Sequence, residues 1–323
     1  MQDILDRIEG LKALVIGDIM LDHYIWGDAT RISPEAPVPV IEINRDTYTA
    51  GGAANVAANI CALGARAEVW GWIGKDRAGI LLRAIMRRKG VVFPAAFFTT
   101  NVPTIQKTRV IVQHQQLCRL DREPEPSSYR HSAYKRLTPL LKMVRNHDII
   151  IFSDYAKGLL NDSLVAKITV AARKAGRLIA LDPKPIRPLK FHGLDLITPN
   201  RKEALRLAGI STLPHEKFPA AAVCNAIWNT YKPKYLVITM GEEGMLLSEK
   251  GKVTHSIPTV AREVYDVSGA GDTIIAALSI ALAAGSPLTD AAHFANAAAG
   301  VVIGKIGTAT ASPREILAYT SHQ

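Results

Sequence analysis

The sequence predicts an α/β protein: a mostly parallel sheet covered by helices on both faces, with a small β-rich insertion. Three observations lead there. Short apolar runs alternate with stretches of helical periodicity through most of the 323 residues, and such alternation gives parallel strands joined by crossover helices. Hydrophobic residues make up 48% of the chain, enough for a sizeable core. Two segments break the alternation, being β-rich with no helical pattern between their strands.

In chain order, a charged amphipathic segment from Asp3 to Lys12 runs into the first strand without the pattern of a signal peptide. Strands are expected at 11–17, 67–73, 148–153, 178–182, 194–198 and 235–239, and helices at 53–63, 78–89, 131–144, 163–175 and 202–207. The β-rich breaks fall at 38–43, punctuated by Pro37 and Pro39, and at 104–120. The longest apolar helical stretch, 274–284, is too short to cross a bilayer. No linker, low-complexity run or internal repeat divides the chain, so one domain over residues 1–323 is expected, with no membrane partner.

The formal net charge is +10, but the basic residues are scattered. Their one short cluster, Arg87-Arg88-Lys89, ends a helix, where cations complement the dipole. A nucleic-acid partner is therefore not expected, and small polyanionic substrates account for the excess. Cys61, Cys118 and Cys224 have no metal or redox spacing and are expected to be reduced, and the nine histidines have no paired spacing for a transition metal.

The most informative run is Asp266-Val267-Ser268-Gly269-Ala270-Gly271-Asp272-Thr273, followed by the apolar helix. Small residues at a helix start leave backbone N–H groups bare where the dipole favours an anion. A carboxylate on that first turn, Asp272, would repel a phosphate unless it has a task such as taking a proton from an attacking hydroxyl. The plainer reading is a Gly-rich helix start with Asp272 as charge complement. A second such start, Ala50-Gly51-Gly52-Ala53-Ala54-Asn55, lets a sugar-sized ligand approach the backbone and offers Asn55 as a two-way hydrogen-bonding group.

Together the two motifs resemble the signature pair of the ribokinase-like (PfkB) carbohydrate kinases, over nearly the whole chain from Leu14 to Pro313. The resemblance implies a three-layer sandwich with a β-sheet lid, about 31–48 and 103–122, that covers the sugar and often lies at a homodimer interface. It implies a cytoplasmic enzyme using ATP and Mg²⁺. Asp272 would be the base, with the amides of Gly269, Ala270 and Gly271 around the transferring group, and Gly51, Gly52, Asn55 and Asp22 would build the sugar pocket; Asp18 would assist or cap a turn. Asn200 and Glu203 match the family's N-x-x-E motif, with Glu203 ordering Mg²⁺ through water; a capping box is the local alternative. Thr239, Gly241 and Gly244 resemble its nucleotide loop, and Asn296 would border the adenine. Asp266 and Ser268 would hold a monovalent cation such as K⁺, although Asp266-Val267-Ser268-Gly269 departs from the commoner Asp-Thr-x-Gly.

Residues 31–40, 103–110, 115–121 and 153–158 look like those of bacterial heptose 7-phosphate kinases, stand-alone or as the kinase part of a fusion with a nucleotidyltransferase. Those enzymes phosphorylate the anomeric oxygen of the sugar on the route to ADP-heptose for lipopolysaccharide. Lys157, Lys184 and Arg109 are the candidate cations for the sugar phosphate; each could instead be a solvated charge. Another PfkB-type kinase, or a nucleotide-binding regulator on the same fold, would share much of this pattern.

Overall fold

The computed structural model describes residues 1–94, 98–99, 102–113, 115–126, 128, 137–186, 189–213, 216–260 and 266–321. Its strands are β1 (Lys12–Gly17), β2 (Ile19–Ile32), β3 (Pro39–Gly52), β4 (Arg66–Trp70), β5 (Ile73–Gly74), β6 (Phe98–Thr99), β7 (Ile105–Val112), β8 (Gln115–Arg122), β9 (Ile149–Ser153), β10 (Leu178–Asp182), β11 (Leu196–Ile197), β12 (Tyr235–Thr239), β13 (Met245–Glu249) and β14 (Lys252–Ile257). The helices are α1 (Gln2–Ile8), α2 (Ala53–Ala62), α3 (Arg77–Arg88), α4 (Leu137–Arg145), α5 (Asp162–Lys174), α6 (Arg201–Ala208), α7 (Ala220–Tyr231), α8 (Ala270–Ala283), α9 (Leu288–Ile303) and α10 (Pro313–Ser321).

Among the described residues the main sheet has eight strands in the order β14-β13-β12-β11-β10-β9-β1-β4. It is parallel from β4 to β12 and antiparallel at the β12-β13-β14 edge. Strand alternation sends successive side chains to opposite faces. Ala13, Val15, Ile149 and Ile151 pack with α1, α2, α3, α8, α9 and α10. Leu14, Ile16, Ile150 and Phe152 pack with α4, α5, α6 and α7. The result is the expected three-layer sandwich. No helix among the described residues is long and apolar enough to cross a membrane.

The sequence expectations for β10 and β12 match residue for residue, and those for β1, β9, α2, α3, α5 and α6 match within a residue or two. The helix expected at 131–144 is seen as α4; residues 131–136 lie outside the described residues. The strand expected at 67–73 divides into β4 and β5, separated by Gly71, where a Cβ would collide with the Gly17 carbonyl. The β13–β14 hairpin was not anticipated, although Lys250 and Gly251 at its turn both take positive φ, 49° and 79°, as a tight hairpin requires.

The lid is larger than expected. A second sheet, β3-β2-β7-β8, is built on the 14-residue strands β2 and β3. Asp22, just past β1, therefore lies inside a strand, paired in register with Thr49 on one side and Lys107 on the other. The reason is local: β2 begins one residue after β1 ends, at Asp18, so the chain passes from one sheet to the other without a loop.

Candidate active site

The site lies at the C-terminal ends of the parallel strands, where α/β sheets place their ligands. Asp272 is in the first turn of α8 and 3% exposed. Its Oδ2 accepts a hydrogen bond from Asn55 Nδ2 at 2.8 Å, and its Oδ1 accepts one from the Tyr155 hydroxyl at 2.7 Å. Burial pushes the Asp272 carboxyl up to about 6, against the lowering effect of those two donors. Nearby Asp22 raises it further, and Lys107 lowers it. No cation pairs with this carboxylate directly among the described residues. A group so placed can accept a proton near neutral pH.

The helix start is set by Gly269, the N-cap at φ 81°, a left-handed conformation suited to glycine. A Cβ there would also press on Asn55 Nδ2 at 2.8 Å, so this glycine lets the two sequence motifs meet. At Gly271 a Cβ would meet nothing within 4 Å; that glycine leaves room on the cavity side. Of the three amides expected to face an anion, Ala270 N–H is engaged, donating to the Val267 carbonyl at 3.2 Å.

A cavity of about 550 Å³ opens against this turn, lined by Thr239, Gly241, Gly244, Asn296, Ala270 and Gly271 among others. The structure thus brings the expected nucleotide-loop residues together with the helix start. Asn296 turns its amide inward, donating to the Pro258 carbonyl at 2.7 Å. Asn200 bridges to Thr239 and caps α6 in a full capping box with Glu203, so the local alternative for this pair is realised. Glu203 Oε1 also accepts from Lys184 Nζ at 2.7 Å. Lys184 thus lines, with Asn200 and Glu203, a smaller cavity of about 150 Å³.

On the lid side, Arg109 donates to Asp22 at 2.7 Å, and both are largely buried. Burial raises the Asp22 carboxyl, and Arg109 counteracts the rise. Arg109 also lines a cavity of about 260 Å³ with Tyr24, Gln116, Asp266 and Ser268. Asp266 accepts from the amides of Ser268 (2.8 Å) and Gly307 (3.0 Å), bracing the loop before α8. Lys157 pairs with Glu123. Gly51 and Gly52, expected to give a ligand room, also make room for the protein's own groups. A Cβ at Gly51 would strike the Asp22 carboxylate, and one at Gly52, at φ 58°, would strike the Asp18 carbonyl.

Three residues escaped the sequence reading as site residues. Tyr155 bonds to Asp272. Lys107 lies over the Tyr155 ring at 5.7 Å, with burial and Lys157 lowering its proton affinity. Asp182, at the end of β10, has its carboxyl pushed well above the usual range by burial, then by the charges of Asp272 and Glu203. The signal for Lys107 was available, since alternation puts it on the same lid face as Arg109.

Holding Asp272 in this way costs stability. A rise from 3.8 to about 6 corresponds to about 3 kcal/mol at 1.36 kcal/mol per unit. Because the folded value is raised, this group contributes most stability below its unfolded value and loses it as pH climbs through about 6. Asp272→Asn, with no charge to bury, is expected to unfold a few degrees above the parent at about pH 8, the gap closing toward about pH 4. Equal melting temperatures at both pH values would contradict the burial account.

Comparison with known proteins gives the family and the fold. Residues 11–315 match the pfkB family carbohydrate kinase. The bifunctional protein HldE of Citrifermentans bemidjiense is 41% identical over 322 residues, covering 99% of this chain and 66% of that protein, so the chain spans just under two thirds of its length. The structure of Arabidopsis thaliana ribokinase complexed with ribose and ATP aligns at TM-score 0.72 and 23% identity, over 96% of this chain and 98% of that one. Escherichia coli phosphofructokinase-2 in complex with potassium aligns at TM-score 0.72 and 19% identity, over 97% and 99%. The fold is ribokinase-like, and the chain belongs to the pfkB family of carbohydrate kinases.

Proposed function

We propose that the chain transfers the γ-phosphoryl group of ATP to the C1 hydroxyl of D-glycero-β-D-manno-heptose 7-phosphate, giving the 1,7-bisphosphate and ADP. The observation that carries the reading is Asp272, a buried carboxylate poised near pH 6 at a helix start that opens on the large cavity. On this reading ATP occupies that cavity, with its phosphates toward Gly271. The sugar lies between Asp272 and the lid face carrying Asp22. Asp272 takes the C1 proton as the oxygen attacks the γ-phosphorus, and ADP departs. The sugar is inferred from the four lid and loop runs that resemble heptose 7-phosphate kinases, and the 41% identity to a bifunctional relative supports a kinase unit of that kind.

The excess of negative charge around Asp182, Glu203 and Asp272 fits a divalent cation that arrives with the nucleotide. Glu203 would hold Mg²⁺ through water, the ion supplying charge neutralisation at the phosphates. A K⁺ ion beside Asp266 and Ser268 would tighten a loop already braced by the Ser268 and Gly307 amides. For the 7-phosphate, Lys107 joins Lys157, Lys184 and Arg109 as a candidate, because among the described residues it has no carboxylate bonded to it directly. The product would feed ADP-heptose and lipopolysaccharide core synthesis in the cytoplasm.

A homodimer through the lid is supported by the exposed apolar residues Ile32, Ile43, Leu117 and Leu120 on the second sheet. Light scattering should give twice the monomer mass, and Leu120→Glu should reduce it; a monomeric parent would remove the proposal.

ADP release is measured with heptose 7-phosphate, ribose and fructose phosphates, in buffers with and without K⁺. The heptose phosphate should give the highest kcat/KM, and Asp272→Asn should lower kcat by about 10²–10⁴-fold while keeping ATP affinity. Preference for another sugar would redirect the substrate reading, equal rates without K⁺ would remove the monovalent ion, and near-normal turnover by the variant would remove Asp272 as base.

A further inference from the structure

Tyr155 stands where the proposed base is held, yet nothing in the reaction as described uses it. Its hydroxyl donates to Asp272 Oδ1 at 2.7 Å while Asn55 donates to Oδ2 at 2.8 Å, so the carboxylate is gripped at both oxygens. Each oxygen keeps a second lone pair for an incoming hydroxyl. The two donors come from opposite parts of the fold, Asn55 from α2 and Tyr155 from the loop after β9.

That loop is fixed by an acceptor of its own. Asp18, buried between β1 and β2, takes the Tyr155 and Lys157 amides on Oδ2 at 3.1 and 3.0 Å, and the Leu159 amide on Oδ1 at 3.4 Å. Asp154 accepts from the Ala156 amide at 2.8 Å, and Ala156 is held at φ 57°. At Gly158, φ 102°, a Cβ would collide with the Pro126 carbonyl. A tyrosine carried on a turn tied at so many points is preorganised rather than mobile. Lys107 from β7 covers its ring at 5.7 Å, completing a stack from the lid to the base.

We propose that Tyr155 is a positioning residue, its hydroxyl fixing the Asp272 carboxylate and stabilising its charged form, with Asp18 as the anchor that places it. The proposal rests on Asp272 being the base. Tyr155 does not itself trade protons, because burial and then the adjacent Asp272 charge raise its phenol well above the ordinary 10. The groups facing Asp272 are Asn55 from α2, Tyr155, Asp182 from the end of β10, Asp22 from β2 and Lys107 from β7. Tyr155→Phe removes one donor and leaves all the others in place.

The test is the pH profile of kcat/KM for parent, Tyr155→Phe, Asp18→Asn and Asp272→Asn, with the same sugar phosphate and MgATP throughout. Substrate ionisation is then common to all, and only differences between profiles are read. Losing a hydrogen bond to a carboxylate should move the acid limb of Tyr155→Phe upward by about one pH unit. The loss is then about tenfold below the limb and small at about pH 8, with ATP affinity by calorimetry unchanged. Asp18→Asn, which loosens the anchor but keeps the hydroxyl, should shift the limb in the same direction by less, and it tests the chain of contacts if Tyr155→Phe does not fold. A limb that stays put in both variants, whether rates are normal or uniformly depressed, overturns the positioning role. Normal turnover by Asp272→Asn would instead overturn the base assignment on which the proposal rests.

Discussion

The structure turns on a buried carboxylate that is hydrogen-bonded but, among the described residues, not ion-paired. A cation bonded to Asp272 would hold it charged at low pH and make it a poor proton acceptor; an apolar pocket without donors would keep it protonated at neutral pH. Two neutral donors, Asn55 and Tyr155, set it between these limits. Much of the surrounding architecture serves that compromise. Gly269 gives Asn55 its approach, Asp18 ties down the Tyr155 loop, and Gly52 lets β3 turn into α2 against the Asp18 carbonyl.

Charge compensation follows a different rule on each side of the base. Toward the lid, Asp22 has its own buried guanidinium from Arg109, so this pair stays balanced without a ligand. On the other side, the charges of Asp272 and Glu203 raise Asp182, and Lys184 offsets part of that rise. Burying like charges together is costly unless something positive joins them. The imbalance is greatest on the side proposed for the nucleotide and its metal ion.

The sandwich was legible because its strands are short, apolar and separated by periodic helices; β10 and β12 could be delimited to the residue. The lid was legible only where Pro37, Pro39 and a lack of helical spacing marked it. Its inner half was hidden, because Gly17-Asp18 reads as a turn that ends β1, whereas the chain passes straight through it into a second strand. The two Gly-rich helix starts located Asp272 and Asn55, but not that they touch, since their contact spans 217 positions. Tyr155 carried no signal of its own. A tyrosine in a loop is ordinary until the Asp18 anchor and the register of β1 beside β9 bring it onto the base. The lysines were the hardest to read, since a lone lysine takes its meaning from its neighbours: Lys184 pairs with Glu203 and Lys157 with Glu123, while Lys107 has no carboxylate bonded to it among the described residues.

The central claim is that the fold itself raises the proton affinity of Asp272 before any substrate binds. Carbon-13 NMR titration of aspartate side-chain carboxyls in the ligand-free protein, with Asp272 assigned by its loss in Asp272→Asn, measures this directly. The account predicts a midpoint about 6 for that resonance. A midpoint at or below its ordinary 3.8 would contradict it, since burial would then be outweighed by the two donors and the carboxylate would be an anion held for structure.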